Sequence, residues 1–512
     1  MIIYERFLSQ TGRHPQKTAI VHRQQRLSYA DVARGVERLM TWMNATGAVQ
    51  GSRIGLFLHN GPLFTMVLLA SAATGATIAP LPVSMGAAGL RNALQRLRLT
   101  HAIGEHQALR ALSELEFSPP KECLLTAEDA FASMEHPSAS PSLRGKADAD
   151  APWILTMTSG STGDPKPIVL SQRCKLYRAI QGVQRVYDLS HRDVILTASP
   201  MYHSLGMRLA LLPLLIGATS VILHKFAPKP WLRAVQTEKI TFTIPISNQL
   251  RQLLPLVHGY HLDSLRCLVS SSATLSVEEK ALCLERFKCR LHECYGTSEV
   301  GIVTDLPLSS TPRAADSVGK ALPHVDLRII NDEGENCEPG EIGEIVCRTP
   351  TAFSGYDNQP QATAAAFIGG YFRTGDLGYL DDQGFLHLKG RKKEIIKVGG
   401  VSVFPQDIEQ VIMEFPGVRA CAAVGVPDQR LGEKIAVALV VEHRDGFDLP
   451  GLQRHCITQL ADYQQPLCWY LVDSLPQTAL GKLQRNRLAE QLRNIPGSGR
   501  PPVAPEAPSC VP

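Results

Sequence analysis

Short apolar runs alternate with helical patterns along most of this chain, and that alternation constrains its fold more than any other feature. Apolar runs occur at Arg53–Leu58, Ala102–Ile103, Trp153–Thr158, Val194–Thr197 and Thr219–Leu223. Helical patterns fall between them, as at Gly61–Thr74 and Trp231–Glu238. A strand that is apolar throughout has no face for water, so it belongs inside a mainly parallel sheet with helices on both sides. The expectation is an α/β chain. Antiparallel pieces join later, with Asp326–Asn331 and Gly343–Arg348 read as a hairpin around Asp332–Gly334.

At 512 residues the chain is too long for one core and reads as a large domain plus a smaller one. A boundary is expected near Gly390–Lys393. A helix Pro405–Glu414 and strands Ala420–Val426 and Ile435–Val441 then mark a separate α+β unit. The expected division is 1–390, 391–495 and a Pro-rich disordered tail 496–512, with Glu135–Ala151 as a loop or linker.

Lys plus Arg total 52 against 48 Asp plus Glu, a surplus too small to imply nucleic-acid binding. The 12 cysteines include no CxxC pair and read as reduced thiols of a cytoplasmic protein. Met1–Gln10 lacks an apolar signal region, so secretion is not expected. The apolar stretch Leu209–Leu223 is broken by Pro213 and Gly217 and reads as a buried helix followed by a strand, without stable membrane insertion.

The chemistry is most visible in Thr158-Ser159-Gly160-Ser161-Thr162-Gly163-Asp164-Pro165-Lys166, directly after the apolar run that begins at Trp153. Glycines let the backbone turn tightly, its N–H groups form a concave anion site, and hydroxyls and Lys166 add donors. The motif is not a Walker loop, because Pro167 follows the lysine where a helix would open.

This loop resembles the signature loop of the adenylate-forming superfamily, which includes acyl-CoA synthetases, peptide-synthetase adenylation domains and firefly luciferase. Four further stretches resemble that family's motifs in order. The resemblance implies a large N-terminal α/β domain with stacked sheets and a smaller mobile C-terminal α+β domain. Tyr295-Gly296-Thr297-Ser298-Glu299 resembles the second ATP motif. It implies Glu299 for Mg2+, Thr297 for the α-phosphate and Tyr295 beside the adenine. Tyr371–Asp376 resembles the ribose motif and implies Asp376 as acceptor of the ribose hydroxyls. Gly390–Gly400 resembles the hinge motif. It implies Arg391 as a phosphate or ribose contact, Lys393 as the pivot and Gly400 on the thiol path. Pro476–Arg485 resembles the C-terminal catalytic motif and implies that Lys482 bridges the attacking carboxylate and the α-phosphate.

Pro200–Gly206 resembles the floor of the acyl site and implies His203 as a gate. Peptide-synthetase domains carry an aspartate there for an amino group. Tyr202-His203 offers none, which argues for an uncharged acyl or aryl tail. Ile244–Asn248 and Val269–Thr274 are expected to line that tail and support the adenine, with Ser272 and Ala273 as nucleotide contacts. The chain departs from the family at Pro167, at Gln172 and at Ser271-Ser272-Ala273-Thr274, where Gly, His and Gly-Gly-Ala-Pro are usual. The expected activity joins a carboxylic acid to a thiol, using ATP and Mg2+ through an acyl-adenylate. The thiol is that of CoA or of a phosphopantetheinyl carrier protein, and an amine acceptor stays open. A luciferase-like oxygenase and a non-catalytic nucleotide-binding protein are the competing classes.

Overall fold

The computed structural model of the chain describes residues 2–115, 117, 119–133, 147–157, 166–478 and 483–493. Residues 135–146 of the expected linker, the loop residues Thr158–Pro165, Lys482 and the 496–512 tail lie outside the described residues.

Two large sheets form the body of the molecule. One has nine strands in the order Lys320–Ala321, Gly301–Pro307, Arg290–Thr297, Cys267–Ser270, Phe242–Thr243, Val194–Thr197, Thr219–Ile222, Thr18–His22, Gln25–Ser28. Its interior pairs are parallel and its edges antiparallel. The other has seven strands, with parallel pairing among Arg53–Phe57, Thr77–Pro80, His101–Gly104, Leu124–Thr126 and Pro152–Met157.

Two predominantly apolar helices occupy the core shared by these sheets. All 13 residues of Pro62–Thr74 are buried, as are Gly206–Ile216 of the Ser204–Ile216 helix. A helix with no polar face is stable only when enclosed. Residues of both sheets, among them Ile54, Ile154, Ile195 and Ile222, pack with them in one contiguous cluster. Pro213 sits inside the second helix, and the Tyr29 hydroxyl donates to its carbonyl at 3.2 Å. Among the described residues, no helix is long and apolar enough to cross a membrane.

Asp326–Ile330 and Gly343–Arg348 do pair antiparallel, with Ile329 opposite Ile345. A turn forms at the expected place, where the Gly334 N–H reaches the Asn331 carbonyl at 3.1 Å. The strands, however, meet across the whole of residues 331–342, because Ile330 first bridges Asn336. They belong to an antiparallel sheet with Tyr371–Leu380 and Leu386–Arg391.

Beyond that sheet, residues 396–492 build their own cores. The Pro405–Met413 helix packs on the antiparallel strands Val418–Asp428 and Gly432–Val441, and Cys468–Leu471 joins in parallel. Arg485 ties this unit together. Its guanidinium donates to Glu409 at 2.5 and 2.8 Å, to Glu394 at 3.0 Å and to the Ala423 carbonyl at 2.9 Å. Arg485→Ala leaves two carboxylates facing each other without a cation. The expected cost is about 3–5 kcal/mol, read as an early unfolding transition of residues 396–492 in hydrogen exchange.

Candidate active site

Strand Arg290–Thr297 delivers the second ATP motif to its end, and Gly301–Pro307 returns beside it. The return is close. A Cβ on Gly296 would lie 1.9 Å from the Gly301 carbonyl oxygen, so only glycine fits there. Between the two strands the Ser298–Glu299 turn is held from below by Arg178, a buried side chain of the Gln172–Ala179 helix. Its Nη1 donates to the Ser298 carbonyl at 2.9 Å, its Nη2 to the Glu299 carbonyl at 2.5 Å, and its Nε to the Thr351 carbonyl at 2.8 Å. A planar fork with fixed donor directions suits three carbonyls in this arrangement.

The Glu299 carboxylate faces Tyr356, whose hydroxyl lies 3.5 Å from Oε1. The Lys166 ammonium stands over the same tyrosine ring, 5.1 Å from its centre. Tyr356 thus joins the end of the Ser/Gly loop motif to the second ATP motif. Burial, and then the Glu299 charge, push its hydroxyl well above the usual tyrosine range. Tyr356 is placed by pairing with Ile168 in the strand that Pro167 opens. Proline is tolerated as the first residue of a strand, and here its carbonyl accepts from the Asp357 N–H at 2.9 Å. Gln172 has a structural part to play. Its amide donates to the Ala72 carbonyl at 2.9 Å and accepts from the Ile3 N–H at 3.4 Å, tying the N-terminal helix to the core.

Asp376 is brought to the same region by the Tyr371–Leu380 strand. The buried Tyr295 hydroxyl donates to its Oδ2 at 2.8 Å, and Arg391 Nε lies 3.0 Å from its Oδ1. Asp376 and Arg391 are direct register partners on neighbouring strands. The Asp376 charge holds the Arg391 guanidinium above the usual arginine range. Burial, then the same aspartate, raise the Tyr295 hydroxyl, which therefore stays a donor. Tyr295, expected beside the adenine, is also the partner of the expected ribose acceptor.

Ser272 adopts φ +82, a left-handed conformation rare for serine. It stands where the resemblance expects glycine. Ser247 pins the segment, donating to the Ala273 carbonyl and to the Ser271 carbonyl at 3.2 Å. Ser272→Gly is expected to relieve this strain and to stabilise the protein by up to about 1 kcal/mol, seen as a higher melting temperature.

Pro200, Tyr202, Ile246, Asn248 and Gln249 share the wall of a cavity of about 350 Å³. The stretch expected as acyl floor and the segment expected to flank it therefore meet. His203 stands at the N-cap position of the Ser204–Ile216 helix, with its ring 4.4 Å from that of Tyr202. Lys393 lies in the short Lys392–Glu394 turn, and Gly400 has φ +86 with open space where a Cβ would stand. The flanks of Lys482 are held by a bridge between Gln477 and Leu483, and by the Gln484 N–H to the Pro476 carbonyl at 2.8 Å. Among the described residues, no group of three His, Cys, Asp or Glu could hold a metal. A lone carboxylate such as Glu299 instead suits a Mg2+ that keeps water and phosphate oxygens as its other ligands.

Tyr295, Asp376, Arg391 and the Glu299 turn are thus gathered in one region of the α/β body, and the comparisons identify the family. Residues 7–357 match the AMP-binding enzyme model and residues 407–482 match the AMP-binding enzyme C-terminal domain. The chain belongs to the AMP-binding enzyme family. It is 31% identical to the indoleacetate–CoA ligase of Aromatoleum aromaticum, over 93% of this chain and 95% of that one. It is also 31% identical to a feruloyl-CoA synthase of an Amycolatopsis species, over 93% and 96%. The amide bond synthetase McbA of Marinactinospora thermotolerans superposes with a TM-score of 0.86 at 26% identity, covering 96% of this chain and 99% of that one. The chain is an AMP-forming acid–thiol ligase.

Proposed function

We propose that this chain binds Mg-ATP, joins AMP to an acyl or aryl carboxylic acid, and passes the acyl group to the thiol of CoA. The observation that carries the reading is the line Tyr295–Asp376–Arg391 standing beside the Glu299 turn. In this reading Thr158, Ser159, Gly160, Ser161, Thr162, Gly163 and Lys166 cradle the phosphates. Ser272, Ala273 and Tyr295 hold the adenine side, and Asp376 and Arg391 hold the ribose. Thr297 faces the α-phosphate, and Glu299 holds the metal. The bound Mg2+ supplies charge neutralisation between phosphate oxygens. Lys482 draws the carboxylate onto the α-phosphate, where two anions would otherwise repel. Residues 1–390 form the nucleotide and acyl unit, 391–495 the unit that turns about Lys393, and 496–512 a tail. His203 gates the carboxylate and Gly400 lines the thiol path. The protein works in the cytoplasm, where its thiols stay reduced.

The test is acid-dependent pyrophosphate release across aryl, medium-chain and long-chain acids, with and without CoA. Acyl-CoA formation from one acid class supports the reading. ATP binding without turnover on any acid would return the chain to the non-catalytic class. Turnover that needs an amine or a carrier protein in place of CoA would reassign the acceptor alone.

A further inference from the structure

Among the described residues, two basic side chains lie inside the large domain without a counter-ion. Lys175, on the Gln172–Ala179 helix, is 3% exposed, and its Nζ has no hydrogen-bond partner. Arg208, on the Ser204–Ile216 helix, is 8% exposed, and its Nε has none either. The two helices pack together. Ser204 precedes Arg208 by four residues, hence on the same helix face, and its hydroxyl is also buried and unpartnered.

Among the described residues, no Asp or Glu forms an ion pair with either. The titratable groups that act on Lys175 are Arg208, Arg178 and Cys174. Those that act on Arg208 are Arg178, Cys294, Tyr187 and Cys174. Burial, aided by mutual repulsion, pushes the Lys175 ammonium well below the lysine range and the Arg208 guanidinium down to about 10. Arg178 differs, because three carbonyls satisfy it. Folding works against such a pair unless an anion completes it.

The pair stands next to the reaction site. Arg178 grips the Ser298–Glu299 turn, and Lys175 sits one turn away on the same helix, about 5 Å along its axis. Arg208 acts on Cys294, the residue before Tyr295, and its helix begins at Ser204, two residues after Tyr202 of the cavity wall.

We propose that Lys175, Arg208 and the Ser204 hydroxyl form an anion-binding end of the acyl pocket, so that the acid activated carries a second anionic group, a carboxylate or sulfonate, away from the reacting carboxyl. This rests on the adenylation reading above. It replaces the uncharged tail expected from sequence and agrees with the lack of an acid at Tyr202-His203, since that pocket rejects an ammonium and welcomes its opposite.

The experiment compares matched acids in pyrophosphate release by the full chain: succinate with butyrate, glutarate with valerate, homophthalate with o-tolylacetate, and 3-sulfopropanoate with butyrate. In at least one pair the dianionic acid should be preferred by about 100-fold in kcat/KM, the worth of charge-assisted bonds to two buried cations. Lys175→Met and Arg208→Met should each lower that preference by about 10-fold or more, through the KM of the diacid. Lys175→Met should also raise the melting temperature of the ligand-free protein, because it removes a buried amine that has no hydrogen-bond partner. Equal use of both members of every pair overturns the proposal and leaves adenylation standing. So does a preference that neither variant changes. If no acid releases pyrophosphate, the adenylation reading fails and this inference fails with it. Should the variants not fold, the wild-type comparison decides alone.

Discussion

Arg178→Met is expected to lower acid-dependent pyrophosphate release by about 10²-fold or more, since a shift of about 1 Å in a catalytic turn costs that much. The guanidinium does not touch nucleotide in the proposed site. It fixes the backbone of Ser298 and Glu299 from beneath, so its loss frees the turn that aims Glu299. Three carbonyls, of Thr351, Ser298 and Glu299, lose their donor together. Large-domain stability should fall by about 3–5 kcal/mol, read as a lower urea midpoint. Arg178→Lys should rescue little, because one ammonium cannot present three donors in a plane. A variant that keeps full activity while losing stability would show that the turn holds itself.

The second large effect is expected at Lys482. Lys482→Ala should slow adenylation by about 10²–10³-fold, the usual cost of one donor aimed at developing charge. The diagnostic is a split between half-reactions. Thioester formation from a supplied acyl-adenylate and CoA should persist, because in the proposed cycle the lysine leaves before the thiol attacks. Equal loss in both halves would place Lys482 in a structural role. The bridge Gln477–Leu483 and the Arg485 ion pairs hold both flanks of the residue, so its removal should leave the small unit folded.

The fold was legible because apolar periodicity reports burial, and burial is what layers of sheet and helix satisfy. Val194–Thr197 forms a strand with the bounds read from sequence, and Pro405–Met413 and Pro62–Thr74 differ by a residue at an end. Turn lengths were less legible. The segment after Ile330 runs on to Gly343 because its backbone first pairs locally at Asn336.

Site residues on motifs were readable, whereas those acting from helix interiors were not. Gln172–Ala179 is rich in polar residues and reads as a surface helix, yet Gln172, Lys175 and Arg178 are buried. Nothing in periodicity separates a solvated polar face from one that turns inward to carbonyls. Arg208 did carry a signal. It is the one Lys, Arg, Asp or Glu between Met201 and Leu223, and a single charge in so apolar a stretch needs a reason. Ser272 carried one as well, through the glycine that its family position leads one to expect and the φ +82 that the chain keeps.

The Asp376–Arg391 pair has a thermodynamic consequence for the working cycle. Arg391 ends its strand two residues before Lys393, so the proposed ribose acceptor is bonded to the last strand residue ahead of the proposed pivot. Binding at one end and rotation at the other then draw on the same contact, and linkage makes their coupling reciprocal. Whatever factor nucleotide adds to the preference for one domain orientation, that orientation adds to the affinity for nucleotide. In the proposed cycle, turning the small unit for the second half-reaction would thereby also be the act that loosens AMP for release.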